Sequence, residues 1–131
     1  MQIRIFAQMK EEHKTGAEGE AETVKYLVSQ GYEVLETNWR FGQEEIDIIA
    51  RTKDFLVIVE VKTRSSKAFG EPEAFVNRQK QKHLIKAAGA YLEKNGLDLE
   101  VRFDIASVMK QGDYYKVTLI QNAFYPLLSK S

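Results

Sequence analysis

The sequence predicts an α/β fold, one mixed β-sheet flanked by helices, in the order helix, three strands, helix, two strands. Three observations carry this expectation. Apolar residues recur at helical spacing in two separate stretches, after residue 16 and after residue 77. The run at 55–63, FLVIVEVKT, is apolar on both faces for most of its length, as a central strand covered on both sides would be. The only two prolines are Pro72 and Pro126, and no low-complexity stretch divides the chain.

Each element has its own signal. Ala17, Ala21, Val24, Leu27 and Val28 fall on one helical stripe, so a first helix is expected from Ala17 to Gln30. Thr15 or Gly16 would cap its start and Gly31 would stop it. Tyr32 to Leu35 reads as a short edge strand, and Asn38 to Gly42 as a connection. Glu45 to Arg51 (EIDIIAR) is strand-like. Thr52-Lys53 is expected to turn the chain into the strand Phe55 to Thr63. Arg64 to Pro72 is expected as a loop. A second helix is expected from Asn77 to Lys94, burying Leu84, Ile85, Ala88, Tyr91 and Leu92 and ending at Asn95-Gly96. Val101 to Val108 and Tyr114 to Ile120 read as two more strands around Gln111-Gly112-Asp113. Residues 1–15 are expected to be an N-terminal extension, 16–125 a single domain, and 126–131 a C-terminal tail.

Composition narrows the chemistry. The 131 residues, 44% hydrophobic and 29% charged, suit one globular core. Zero Cys excludes disulfides, thiolate zinc sites and a Cys nucleophile, and two His exclude a multi-His metal site. No apolar run approaches a membrane span and no signal-peptide pattern opens the chain, so a cytoplasmic protein with no membrane partner is expected. The zero net charge hides an asymmetry. Residues 1–60 hold 7 basic and 12 acidic residues, whereas residues 61–90 hold 7 basic and 2 acidic. An acidic site beside a basic rim fits that distribution.

The informative feature is acids among apolar neighbours. Along Phe55–Thr63 side chains alternate faces, so Glu60 and Lys62 share a face with Leu56 and Ile58. With Thr52-Lys53 as a two-residue loop, Arg51 faces Asp54, Asp47 faces Ile58 and Glu45 faces Glu60. Glu45, Asp47, Glu60 and Lys62 then project one way, with Asp47 and Glu60 diagonal neighbours about 7–8 Å apart at the backbone. A one-residue slip would put Asp47 on the other face. Glu20 lies on the apolar stripe of the first helix, and joins the group if that helix packs on the same sheet face.

Crowded carboxylates raise one another's pKa, and a hard divalent cation such as Mg²⁺ or Mn²⁺, bound by oxygen ligands, relieves the repulsion. Such an ion can activate water and neutralise a phosphoryl group, with Lys62 orienting the water or countering charge. Each residue also has a plain structural role open to it. Glu60 and Lys62 can form a strand-end ion pair, Asp47 can cap a turn or pair with Arg40, and Glu20 can sit at a helix edge. Arg78, Lys80, Lys82 and Lys86 can form a solvated helix face. The convergence of three elements on one place favours the metal site.

Asp47 followed by Glu60-Val61-Lys62 across a hairpin resembles the D…(D/E)xK signature of the restriction-endonuclease-like, or PD-(D/E)xK, superfamily. The wider sequence resembles the YraN family of small bacterial proteins. The matches are Gly16-x-x-Gly19-Glu20, Tyr26-Leu27, Gly31-Tyr32, Asn38-Trp39-Arg40, Glu45-Ile46-Asp47, Val59 to Arg64, Phe69-Gly70, Lys80-Gln81, Arg102-Phe103-Asp104 and Asn122-Ala123-Phe124. The departures are Ile46 where the superfamily's name has proline, Thr23 where the family usually has Ala, and Glu44 where it usually has Gly. The resemblance implies an α-β-β-β-α-β core similar to Holliday-junction resolvases and a Mg²⁺-dependent (or Mn²⁺-dependent) nuclease. It implies Glu20, Asp47, Glu60 and Lys62 as catalytic residues, with Asp47, Glu60 and Glu20 as metal ligands. Resolvases of this fold act as dimers, which extends the expectation to a homodimer.

The expected function is therefore metal-dependent hydrolysis of phosphodiester bonds in DNA, branched DNA included. The basic stretch after Lys62 supplies the expected nucleic-acid contacts, Arg64, Lys67, Arg78 and Lys80. Two alternatives stand beside it: a non-catalytic nucleic-acid-binding module on the same scaffold, and a small protein-interaction partner.

Overall fold

In a computed structural model of the chain, residues 2–65 and 76–124 are described, with side chains from residue 16 onward. The elements are α1 (Gln2–Ser29), β1 (Glu33–Phe41), β2 (Glu44–Arg51), β3 (Phe55–Arg64), α2 (Arg78–Asn95), β4 (Glu100–Gln111) and β5 (Tyr114–Phe124). The five strands form one sheet in the order β1-β2-β3-β4-β5. Only β3 and β4 run parallel, joined by the crossover that contains α2. The expected element order and the mixed α/β class hold, consistent with a restriction-endonuclease-like core.

The two helices cover opposite faces. Val57 and Val59 of β3 pack with Ile48, Ala50 and Leu27, the α1 side. Leu56 and Ile58 pack with Ile49, Leu84, Ala87, Ala88 and Tyr91, the α2 side. Burial on both faces explains why β3 reads as a nearly continuous apolar run.

Three expectations need correction, and the face on which α1 packs, left open by the sequence, is decided. First, α1 begins at Gln2, not Ala17, and spans 28 residues. Residues 2–14 hold neither Pro nor Gly, and one interior glycine, Gly16, costs only about 1 kcal/mol of helix propensity. The helix ends as expected at Gly31, which takes a left-handed φ of 90°. There the Tyr32 N–H returns to the Leu27 carbonyl at 3.0 Å.

Second, β1 does not stop at Leu35. It carries a bulge between Val34 and Glu36 and continues through the expected connection to Phe41, which pairs with Glu44 across Gly42-Gln43. Gly42 supplies the left-handed φ of 62° that this turn needs.

Third, the β2–β3 turn is Lys53-Asp54. Thr52 pairs with Phe55, donating its N–H to the Phe55 carbonyl at 2.9 Å and accepting the Phe55 N–H on its hydroxyl at 3.1 Å. Ile49 therefore faces Ile58 and Ile48 faces Val59. The register is displaced by two residues from the expected one, and a shift by an even number keeps paired residues on the same face.

The open question is settled by packing: α1 lies on the Val57/Val59 face, the side of β3 opposite to Glu60. It approaches the sheet tightly at Gly19, where a Cβ would fall 1.9 Å from the Thr63 hydroxyl. Glycine here lets the helix touch the end of β3. Among the described residues, no helix is long and apolar enough to cross a membrane.

Candidate active site

The β2–β3 ladder ends at Ile48↔Val59, while β3 continues beside β4 as far as Arg64↔Met109. Asp47 stands at the point of separation, opposite Glu60 when the register is extended by one pair. Its carboxylate takes over the role of a strand carbonyl, with Oδ2 accepting the Val61 N–H at 2.8 Å. Ile46 packs with Ile49 on the α2 side, although simple alternation would group it with Ile48. The strand is thus turned out of regular alternation at Asp47.

Glu60 is 3% exposed. On one side Lys80, from the first turn of α2, brings its Nζ to 3.5 Å from Oε1. The other oxygen, Oε2, is buried with no hydrogen-bond partner. Burial, then the charge of Asp47, pushes the Glu60 carboxyl up to about 7, against the opposing pull of Lys80 and Lys62. Asp47 is also raised, by burial, with the Val61 N–H, Lys62 and Lys80 working against the shift.

Glu20 reaches this place from the opposite face, over the end of the sheet. It is half-buried, and burial followed by the charge of Asp47 raises its pKa. An Asn38 side-chain hydrogen bond holds it. Asn38 has a left-handed φ of 52° inside β1, an uncommon conformation for a non-glycine residue in a strand. The ladder skips it, running from Thr37↔Ile48 to Trp39↔Ile46.

The structure therefore brings together Glu20, Asp47, Glu60 and Lys62. Glu45, expected to project with them, lies close enough to raise Asp47 and Glu20 and pairs with Arg40 at 3.8 Å. Arg40 is thus the partner of Glu45 and not of Asp47. Glu44 pairs with His83 of α2 at 3.0 Å. Among the described residues, no three His, Cys, Asp or Glu side chains gather tightly enough to hold a metal ion by themselves. The charge of Asp47 raises both Glu20 and Glu60, so the acids form a chain through Asp47 more than a cage.

The expected nucleic-acid contacts divide. Arg64 ends β3 and Arg78 is exposed at the start of α2. Lys80 turns inward to Glu60, and Lys67 lies outside the described residues. Lys82 and Lys86 are exposed. Two residues escaped the sequence reading as site members: Asn38, whose left-handed turn has no periodicity signal, and Lys80 as a partner of Glu60. A Lys-Gln pair at a helix start gives no sign of which carboxylate it will meet.

Comparison with known proteins shows similarity to one family along most of the chain. The chain matches the family model of the uncharacterised protein family UPF0102 over residues 19–108. A UPF0102 protein of Flavobacterium psychrophilum is 49% identical over 117 residues, covering 89% of this chain and 98% of the relative. One from Phocaeicola vulgatus is 40% identical over 118 residues, covering 90% and 98%. One from Acetivibrio thermocellus is 47% identical over 116 residues, covering 83% and 89%.

Proposed function

The chain belongs to the uncharacterised protein family UPF0102, and from that membership and the carboxylates at the open end of the β2–β3 hairpin we propose that it is a divalent-metal-dependent endonuclease acting on DNA. The observation that carries this reading is Glu60 Oε2, a buried carboxylate oxygen with no partner beside a second raised carboxylate. Leaving such a group unpaired is costly, and native folds rarely do so without a use for it.

The donor set fits Mg²⁺ or Mn²⁺. Mg²⁺ is commonly bound through one or two carboxylates, with water and substrate phosphate completing its shell, and Asp47 and Glu60 are such a pair. When bound, the ion would polarise the phosphoryl oxygen and lower the pKa of water. Val61 fixes Asp47 through its N–H, so the carboxylate is oriented before any ligand arrives. Glu20, raised by burial and by the charge of Asp47 and held by Asn38, is the carboxylate poised to take a proton from the attacking water. Lys62, within electrostatic reach of both Asp47 and Glu60, counters charge developing on the phosphate. Arg64 and Arg78 flank this end of the sheet and suit the DNA backbone.

A panel of linear, flapped and four-way DNA incubated with purified protein and Mn²⁺ tests this. Cleavage that needs the ion and disappears in Glu60→Ala is expected. No cleavage of any substrate, or equal cleavage by Glu60→Ala, would contradict it. A second reading, a non-catalytic nucleic-acid-binding module, is favoured by one observation: Lys80 already neutralises part of the Glu60 charge. That reading requires DNA binding indifferent to divalent ions.

A further inference from the structure

Lys80 is placed where helix energetics do not want it. It is the third residue of α2, whose N-cap is Asn77. The positive end of the helix dipole disfavours a cation there, and the first turn holds no acidic residue to offset it. The backbone at this point is fixed. Asn77 Oδ1 accepts the Lys80 N–H at 2.9 Å, and Gln81 donates its side-chain amide to the Val76 carbonyl at 3.0 Å. The Lys80 side chain is 35% exposed against 4% for Glu60. Its ammonium can therefore leave for solvent on a flexible stem, while Glu60 cannot follow.

The ion pair is also incomplete. At 3.5 Å it is longer than a charge-assisted hydrogen bond of about 2.7–2.9 Å. It engages Oε1 only and leaves Oε2 without a partner. A monovalent head on one oxygen would be a weaker occupant of Glu60 than a divalent ion.

We propose that Lys80 is an internal counter-ion that competes with the divalent cation for Glu60, and that once displaced it turns to the phosphate backbone of DNA lying across the site. The proposal rests on the metal-dependent reading above. It makes metal and DNA binding reciprocal, because the ion frees a cation for the nucleic acid. Removing Lys80 should then move the two affinities in opposite directions, which a merely structural lysine would not do.

The test is calorimetric titration of Mn²⁺ into the full chain without DNA, for wild type, Lys80→Met, Lys80→Arg and Glu60→Gln. Binding of a short duplex is then measured with Ca²⁺ present and absent. Lys80→Met should bind Mn²⁺ roughly tenfold tighter than wild type, the order expected when a close competing charge is removed. It should also bind the duplex more weakly in Ca²⁺ and lose most of the Ca²⁺ dependence. Lys80→Arg keeps the charge and offers a fork that can hold both Glu60 oxygens, so it should bind Mn²⁺ no tighter than wild type. Glu60→Gln should lose Mn²⁺ binding. Wild-type Mn²⁺ binding that Lys80→Met leaves unchanged or weakens overturns the Lys80 proposal alone. No binding by either, or undiminished binding by Glu60→Gln, overturns the metal reading and the proposal with it.

Discussion

Asp104 and Glu60 lie on neighbouring strands, 1% and 3% exposed, and their surroundings are opposite. Asp104 accepts Arg102 Nε at 3.0 Å on Oδ1 and Arg102 Nη2 at 2.8 Å on Oδ2, and Asn122 N–H adds 3.1 Å on Oδ1. The guanidinium also donates to the Tyr32 hydroxyl at 2.6 Å and lies over the Tyr32 and Phe55 rings. Burial works against the Arg102 charge, yet the hydrogen bonds to Asp104 and Tyr32 hold its pKa above the ordinary value. Glu60 has one long contact and one orphaned oxygen. Burial of an acid is therefore a poor guide to function. Imbalance is the better one: the satisfied pair is structural, and the unsatisfied one sits where chemistry is proposed.

The largest expected effect breaks the balanced side. Arg102→Ala leaves Asp104 buried and uncompensated, and should cost about 3–5 kcal/mol of stability in urea unfolding. A loss below about 1 kcal/mol would mean that water reaches Asp104 and that the two clusters differ less than their geometry indicates.

The unbalanced side should respond with the opposite sign. Without metal, Glu60→Gln should stabilise the chain at pH 8, by up to about 3 kcal/mol for a carboxyl raised from 4.5 to about 7. Between those two pH values the folded chain keeps a proton that the unfolded chain has lost. Stability of the metal-free wild type should thus fall as pH rises through that window. The upward shifts of Asp47 and Glu20 act in the same direction. Thermal unfolding from pH 4.5 to 8 checks this, and Mn²⁺ should restore more stability at pH 8 than at pH 5. A metal-free chain whose stability rises across that range would remove the electrostatic distinction between the clusters.

A third change sharpens the comparison by moving one acid. Gly19→Ala drives a Cβ onto the Thr63 hydroxyl, and should cost about 1–3 kcal/mol as α1 lifts from β3. Glu20 moves with the helix, so Mn²⁺-dependent activity should fall further than stability does. Thr63→Ala added to Gly19→Ala should recover most of both losses, leaving only the Thr63 Cβ at 3.0 Å as a close contact. Failure of that rescue would mean that the close approach does not set the position of Glu20.

The smallest effect concerns Asn38. Asn38→Gly relaxes a left-handed residue but removes the hydrogen bond to Glu20. Stability should change by less than about 1 kcal/mol, while DNA cleavage should drop. Unchanged cleavage would show that Glu20 needs no positioning.

These clusters also mark what a sequence can convey. The common face of Leu56, Ile58 and Glu60 was legible because strand alternation fixes it, and it survived a two-residue error in register. That error came from Thr52, whose hydroxyl closes the turn one residue later than the Thr-Lys pair suggests. The face chosen by α1 was not legible, because both sides of β3 are apolar from Phe55 to Val59 and only its end carries charge, Glu60 and Lys62. Arg102 and Asp104 stood out only as a matched motif. Their pairing depends on Tyr32 and Asn122, distant in sequence. The Lys80–Glu60 contact likewise arises only when α2 docks.

The most direct measurement is a crystal grown with Mn²⁺, with the ion located by its anomalous scattering. A peak ligated by both Asp47 and Glu60, with Lys80 Nζ withdrawn from Oε1, is the expected result. Full-occupancy Mn²⁺ elsewhere, with Lys80 still on Glu60 and Oε2 still bare, would contradict the assignment of this site.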